Sequence, residues 1–198
     1  MSTPGEALLD SGERFRGEIE STLREVGIGE GHHVLDCCCG SGTYAIPAGV
    51  LVGKEGLVYA VDEDDAKLRQ LRGRAESLGL RNIRVIRRNV ELEIPLPDRA
   101  VDFVLLYDIF WYFRPAEKKT RDLLKEVARV AGTNAAVSVY PTHIDQNGLR
   151  LFSEAMQENG FDLLSERSRR LVHERSLVTG TLLTYGKAGK HRKSSLTG

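Results

Sequence analysis

The stretch VLDCCCGSGTY, residues 34–44, sets three adjacent cysteines between an aspartate and a Gly-Ser-Gly turn. Neighbouring residues on an extended strand point to opposite faces, so Cys37, Cys38 and Cys39 converge poorly on one ion. Paired zinc ligands are usually separated by two or more residues and need further ligands. His32 and His33 lie at the other end of the same strand. The sequence therefore gives no metal-ligand set. Two roles stay open for the thiols: small buried packing groups, or reactive thiols in which the following helix N-terminus favours thiolate at Cys38 or Cys39. Gly40 and Gly42 let the backbone approach a ligand and enter a helix tightly. A lone G-x-G opens many purely structural turns, so it needs a second signal.

That signal is AVDEDD, which puts Asp62 at the end of the next strand, about 20 residues beyond the glycine turn. An acidic group there can hold the two hydroxyls of a ribose. It can equally cap the following helix; Asp64 suits the cap and Asp62 the ribose. The spacing suits a nicotinamide enzyme poorly, because the third glycine of G-x-G-x-x-G would fall at Ala45, and no Gly-Lys-Ser/Thr of a P-loop is present. His143, in YPTHID, sits after a strand, where a general base can act, or is simply exposed. His173 has a weaker claim, lying in a hairpin. IFWYF, residues 109–113, carries the only Trp and reads as substrate wall, core or subunit contact.

The elements that position these residues alternate. An amphipathic helix from about Glu6 to Val26 precedes HHVLDC, a short run suited to a strand buried on both faces. GLVYAVD, NIRVIRRN, VDFVLLYD (Val101–Asp108) and NAAVSVY (Asn134–Tyr140) are further strands. Helices lie between most of them, including one with Pro115 in its first turn. VELEIPLPDRA is a loop because of Pro95 and Pro97. FDLLSERSRRLV and SLVTGTLLTYGK have no helix between them and predict an antiparallel hairpin. The expectation is an α/β fold: a doubly wound, Rossmann-like, mostly parallel seven-stranded sheet ending in that hairpin. Residues 1–186 form one domain in this reading, and 187–198 a basic, disordered tail.

VLDCCCGSG resembles motif I of class I S-adenosylmethionine-dependent methyltransferases, V-L-D-x-G-x-G-x-G. TYAIPAGVLVGKEGLVYAVDEDDAKL is similar to the ubiquinone/menaquinone-biosynthesis branch, and IPLPDRAVDFVLLYDIFWYF and LLKEVARVAGTNAAVSV follow in that family's order. The first motif glycine is replaced by Cys38, and the K-P-G-G turn is reduced to Ala131-Gly132-Thr133-Asn134. The resemblance implies an enzyme with S-adenosylmethionine as cofactor. It implies that Asp36, Cys38, Gly40 and Gly42 lie along the methionyl and ribose parts. Asp62 takes the ribose hydroxyls, Glu63 and Asn89 with Val90 the adenine (Glu91 being a rival for Asn89), and Tyr107 the sulfonium. Asp108 or His143 would be the base, and Trp111, Tyr112 and Tyr140 would meet the substrate. The acceptor expected is a small or medium-sized molecule; an RNA or protein acceptor, or a non-catalytic cofactor-binding subunit, is the alternative.

A formal net charge of zero gives the chain no overall field for nucleic acid or anionic lipid. No apolar run is long enough to span a bilayer. The N-terminus lacks a basic start followed by an apolar stretch, so no secretory signal is expected. Three adjacent cysteines make a poor disulfide framework, consistent with a reduced, cytoplasmic protein. Oligomerisation is left open.

Overall fold

The computed structural model describes residues 14–89, 93–173 and 175–187. Among these residues, five helices and seven strands follow in the order α1 (Arg16–Val26), β1 (His33–Cys37), α2 (Ala45–Val52), β2 (Leu57–Asp62), α3 (Asp65–Ser77), β3 (Ile83–Arg87), β4 (Val101–Tyr107), α4 (Lys118–Val130), β5 (Ala131–Tyr140), α5 (Gln146–Glu158), β6 (Phe161–His173) and β7 (Ser176–Lys187). The sheet order is β3-β2-β1-β4-β5-β7-β6. The first five strands are mutually parallel, and β7 runs antiparallel to both β5 and β6. This is the expected α/β, Rossmann-like seven-stranded sheet with its C-terminal hairpin.

Two-residue alternation divides the strands between two cores. Val34, Val58, Ala60, Leu105 and Tyr107 face one cluster, which includes Ile19 and Leu23 of α1, Ile46 of α2 and Leu68 of α3. Leu35, Tyr59, Val61, Val104, Leu106, Val137 and Val139 face the other, with Leu123, Leu124 and Val127 of α4 and Phe152 of α5. Burial on both faces explains why β1, β2 and β4 read as near-continuous apolar runs. In α4, Thr120, Leu123, Leu124, Val127 and Val130 are buried at helical spacing.

Three boundaries differ from the sequence reading. Helix α4 starts at Lys118 rather than near Pro115, because Glu117 is still extended and Thr120 Oγ1 donates to the Arg114 carbonyl at 2.6 Å, closing a separate turn. Strand β5 begins at Ala131, not Asn134. Ala131 pairs with Val101 across a register shift, so residues read as a turn are strand. Lys187, assigned to the tail, ends β7, and its Nζ donates to the Ala128 and Ala131 carbonyls at 2.7 Å. The first part of the expected N-terminal helix and the tail from residue 188 lie outside the described residues.

The described part of the loop between β3 and β4 is held by Arg129 and Glu126, the latter accepting from the Ile94 N–H at 3.0 Å. Arg129 donates to the carbonyls of Ile94 and Leu96 at 2.8 and 2.7 Å and pairs with Glu126 and Asp98. This fixes the entry into β4. No helix among the described residues is long and apolar enough to cross a membrane.

Candidate active site

Strands β1 and β4 are neighbours, while the chain leaves β1 toward β2 on one side and β4 toward β5 on the other. Crevices form at such a reversal, beyond the carboxyl ends of the strands. A cleft of about 800 Å³ opens here. Its walls come from the turn after β1 (Cys38, Gly40, Thr43), the turn after β2 (Asp62, Glu63, Lys67), the end of β3 (Arg88, Asn89), the segment after β4 (Asp108, Trp111, Tyr112) and the hairpin (Val172, Arg175).

The turn after β1 needs left-handed backbone at Cys38, Gly40 and Gly42, with φ of 60°, 54° and 89°. Glycine adopts this region without cost, whereas a cysteine does so against its own Cβ. Cys38 thus holds a backbone conformation that favours glycine. Gly42 does not line the cleft. A Cβ there would lie 2.3 Å from Leu71 Cδ1, so this glycine serves the packing of α3 against the turn.

The turns after β1 and β2 are tied together. Asp62 Oδ2 accepts from the Gly40 N–H, and Oδ1 from the Asp64 N–H, each at 2.9 Å. Asp64 caps α3, accepting from the N–H groups of Ala66 and Lys67. Asp64 is the expected helix cap, and Asp62 faces the cleft.

Asp36 lies behind the turn, only 3% exposed. Burial first, and the nearby Asp62 charge second, push its pKa up to about 8, against a lowering hydrogen bond from the Ala45 N–H. Its Oδ2 has no hydrogen-bond partner among the described residues. A buried acceptor left in that state is unusual and calls for a donor.

The thiols behave as packing groups. Burial is the first cause raising the pKa of all three, reinforced by neighbouring acidic groups or thiols; for Cys38 it reaches about 12. Of the two roles the sequence leaves open, burial favours packing over activation by the helix start. Desolvation and the adjacent Asp36 and Asp62 outweigh the helix end.

At the opposite end of the cleft, Asp108 follows β4 with φ 57°, and His143 follows β5 with φ 59°. Asp108 Oδ1 lies 3.0 Å from His173 Nδ1 and 3.7 Å from His143 Nε2, and accepts from Thr142 Oγ1 at 2.5 Å. The two imidazoles stand 4.9 Å apart. His173, given a weaker claim from sequence, is thus brought to Asp108 by the hairpin. Tyr107 faces the cleft with its hydroxyl 2.7 Å from Ser138 Oγ. Tyr140 is buried behind it, edge-on to His173 and beneath Gly180, rather than lining the cleft. Trp111, 65% exposed, forms the rim with Tyr112, over which Lys119 Nζ sits at 3.7 Å. Val90 and Glu91 lie outside the described residues.

Sequence reasoning missed Tyr44, which carries the hairpin. Its hydroxyl donates to the Val172 carbonyl at 2.9 Å and accepts from the Val172 N–H at 3.2 Å. Its ring packs edge-on against Tyr107 at 4.6 Å. A tyrosine just after a glycine turn was the available signal.

Solved structures share this architecture. An S-adenosylmethionine-dependent methyltransferase from Aquifex aeolicus aligns with a TM-score of 0.73 at 22% identity, over 95% of this chain and all of that one. Magnesium protoporphyrin IX methyltransferase from Synechocystis, solved with bound S-adenosylmethionine, aligns at 0.67 and 15% identity, over 87% and 79%. Likeness at these identities speaks for the fold. A demethylmenaquinone methyltransferase from Geobacillus kaustophilus is 32% identical over 87 residues, which is 44% of this chain and 37% of that protein. The matched stretch thus spans little more than a third of that curated relative. The family model described as a methyltransferase domain matches residues 34–134, from the first residue after His33 to the middle of β5. By that match the chain belongs to the methyltransferase-domain family.

Proposed function

We propose that this protein transfers a methyl group from S-adenosylmethionine to a small or medium-sized acceptor with an apolar or aromatic body. The observation that carries the reading is one carboxylate lining the head of the cleft, with a second acidic group buried behind the turn. Asp62 is accessible there, and Asp36 is buried with an unpartnered oxygen. The residues present fit the cofactor. Asp62 has lone pairs left for two ribose hydroxyls beyond the backbone donors it already serves. An amino-acid ammonium is the donor that Asp36 Oδ2 lacks. Glu63 and Asn89 stand on the side where adenine would lie, and Cys38 and Gly40 along the methionyl and ribose parts.

The cofactor, when bound, supplies an electrophilic methyl group on a sulfonium. The chain aligns the acceptor with it and excludes water. Trp111, Tyr112 and Phe113 close the acceptor side, and Tyr107 forms the floor. In this reading Asp108 or His143 takes the proton leaving the acceptor, supported by Asp108 lining the cleft and by the Asp108–His143 spacing of 3.7 Å. The names of the curated relatives favour a quinone-like acceptor. A reduced cytoplasm suits the three free thiols, and we read residues 1–186 as one domain.

Calorimetry with S-adenosylmethionine and S-adenosylhomocysteine tests the first half: absence of binding by both ends the proposal. A methyl-transfer screen over quinone-like, phenolic, thiol and RNA acceptors tests the second. Turnover on a small aromatic acceptor is expected. Turnover on RNA alone would overturn the acceptor class, and binding without turnover on any acceptor would favour a non-catalytic subunit.

A further inference from the structure

Asp108, His143 and His173 come from three separate parts of the chain: the end of β4, the loop after β5 and the end of β6. Their ligand-capable atoms, a carboxylate oxygen and two imidazole nitrogens, all lie within 4.8 Å of one another. Ligands at ~2.0–2.1 Å from one ion stand roughly 2.9–3.4 Å apart in octahedral or tetrahedral geometry. The Asp108–His173 spacing of 3.0 Å lies within that range, and the Asp108–His143 spacing of 3.7 Å exceeds it by about 0.3 Å. His143 is 41% exposed at its side chain, and no hydrogen bond holds its ring among the described residues. It is free to close the remaining gap, and it leaves an entry path from solvent.

Two independent features accompany the convergence. Asp108 and His143 both adopt left-handed backbone, rare for residues with a Cβ and concentrated at functional sites. Asp108 also lines the cleft beside Ile109 and Trp111, so an ion on it would border the acceptor end. Two histidines and one carboxylate leave coordination positions open, the donor set of catalytic zinc and non-haem iron sites.

We propose that Asp108, His143 and His173 bind one first-row divalent transition ion at the acceptor end of the cleft. This rests on the same site as the reading above and replaces the proton-holding role given there to Asp108 and His143, whose lone pairs would be on the ion. An acceptor hydroxyl on the ion would ionise more readily, with its proton going to water.

Untagged, EDTA-treated protein is titrated with cobalt(II), followed by visible d–d absorption, and with zinc(II), followed by calorimetry and thermal unfolding. One equivalent per chain is expected, with a rise in unfolding temperature. His143→Ala and His173→Ala should each weaken cobalt affinity at least about tenfold, and the double variant should abolish the absorption band. Circular dichroism in EDTA confirms that the variants fold, and S-adenosylmethionine affinity, measured in EDTA, reports the cofactor half separately. No saturable binding by the parent protein, or undiminished binding by the folded double variant, would overturn the metal site while leaving the methyltransferase reading intact.

Discussion

The Gly40 N–H donates to Asp62 Oδ2 across 22 residues of sequence, at 2.9 Å. One carboxylate thereby clamps the turn after β1 to the turn after β2 before any ligand arrives. Replacing Asp62 by Ala should remove both the clamp and the ribose acceptor. Calorimetry should show S-adenosylmethionine binding weakened by ~1–3 kcal/mol, the range for hydrogen bonds to a charged group. An unchanged affinity would take Asp62 out of the site.

Asp36 predicts a pH dependence. Its pKa in the free protein is raised to about 8, chiefly by burial, so it is largely protonated at neutral pH. A group raised on folding favours the native state below its unfolded pKa, and that contribution is lost as pH rises through its folded pKa. Stability of the free protein should therefore fall between about pH 4 and pH 8 through this group. An ammonium beside Asp36 would lower its pKa and release a proton. Cofactor affinity should then rise with pH and level off above about 8. Calorimetry in buffers of different ionisation enthalpy measures the proton release, and Asp36→Asn should abolish it.

Cys38 holds a glycine's conformation. Left-handed backbone costs an L-residue ~1–2 kcal/mol, so Cys38→Gly should stabilise the protein. The gain is offset in part by the greater freedom of glycine in the unfolded chain. A net rise of a few degrees in unfolding temperature is the expected result, and Cys38→Val should lower it. Because burial raises all three thiol pKa values, alkylation of the native protein by iodoacetamide near pH 7 should be slow, accelerating only in denaturant.

The Tyr44 hydroxyl serves both the N–H and the carbonyl of Val172. Tyr44→Phe leaves both groups unpaired in a buried setting and should cost ~1–3 kcal/mol. The loss should appear in hydrogen exchange, with faster exchange at Val172 and in the far half of the hairpin than at β1 and β4.

The sheet was legible because two-sided burial makes apolar runs of β1, β2 and β4, and glycines mark the turns. Asp62 was legible because its distance from the glycine turn is set by one helix and one strand. The start of α4 was misplaced because Pro115 carries a helix-start signal while the chain makes another turn first. The start of β5 was misplaced because Gly132-Thr133-Asn134 has turn composition, which pairing with Val101 overrides. The Asp108–His173 contact joins residues 65 apart, and no local period records it. Tyr44 was passed over for a related reason: its two partners belong to a strand 128 residues away.

The pairing of β7 is uneven along its length. It meets β5 only from Leu183 to Gly186, while β6 accompanies it from Phe161 to His173. The outer half of this ribbon therefore overhangs the sheet, carrying Val172 and Arg175 to the cleft and His173 to Asp108. In the function proposed above the cofactor end lies in residues 36–89, while the overhang runs through residues 167–182. Such a division is modular. Exchanging the overhang between relatives, with Tyr44 kept as its anchor, should alter the choice of acceptor and leave the nucleotide grip as it was.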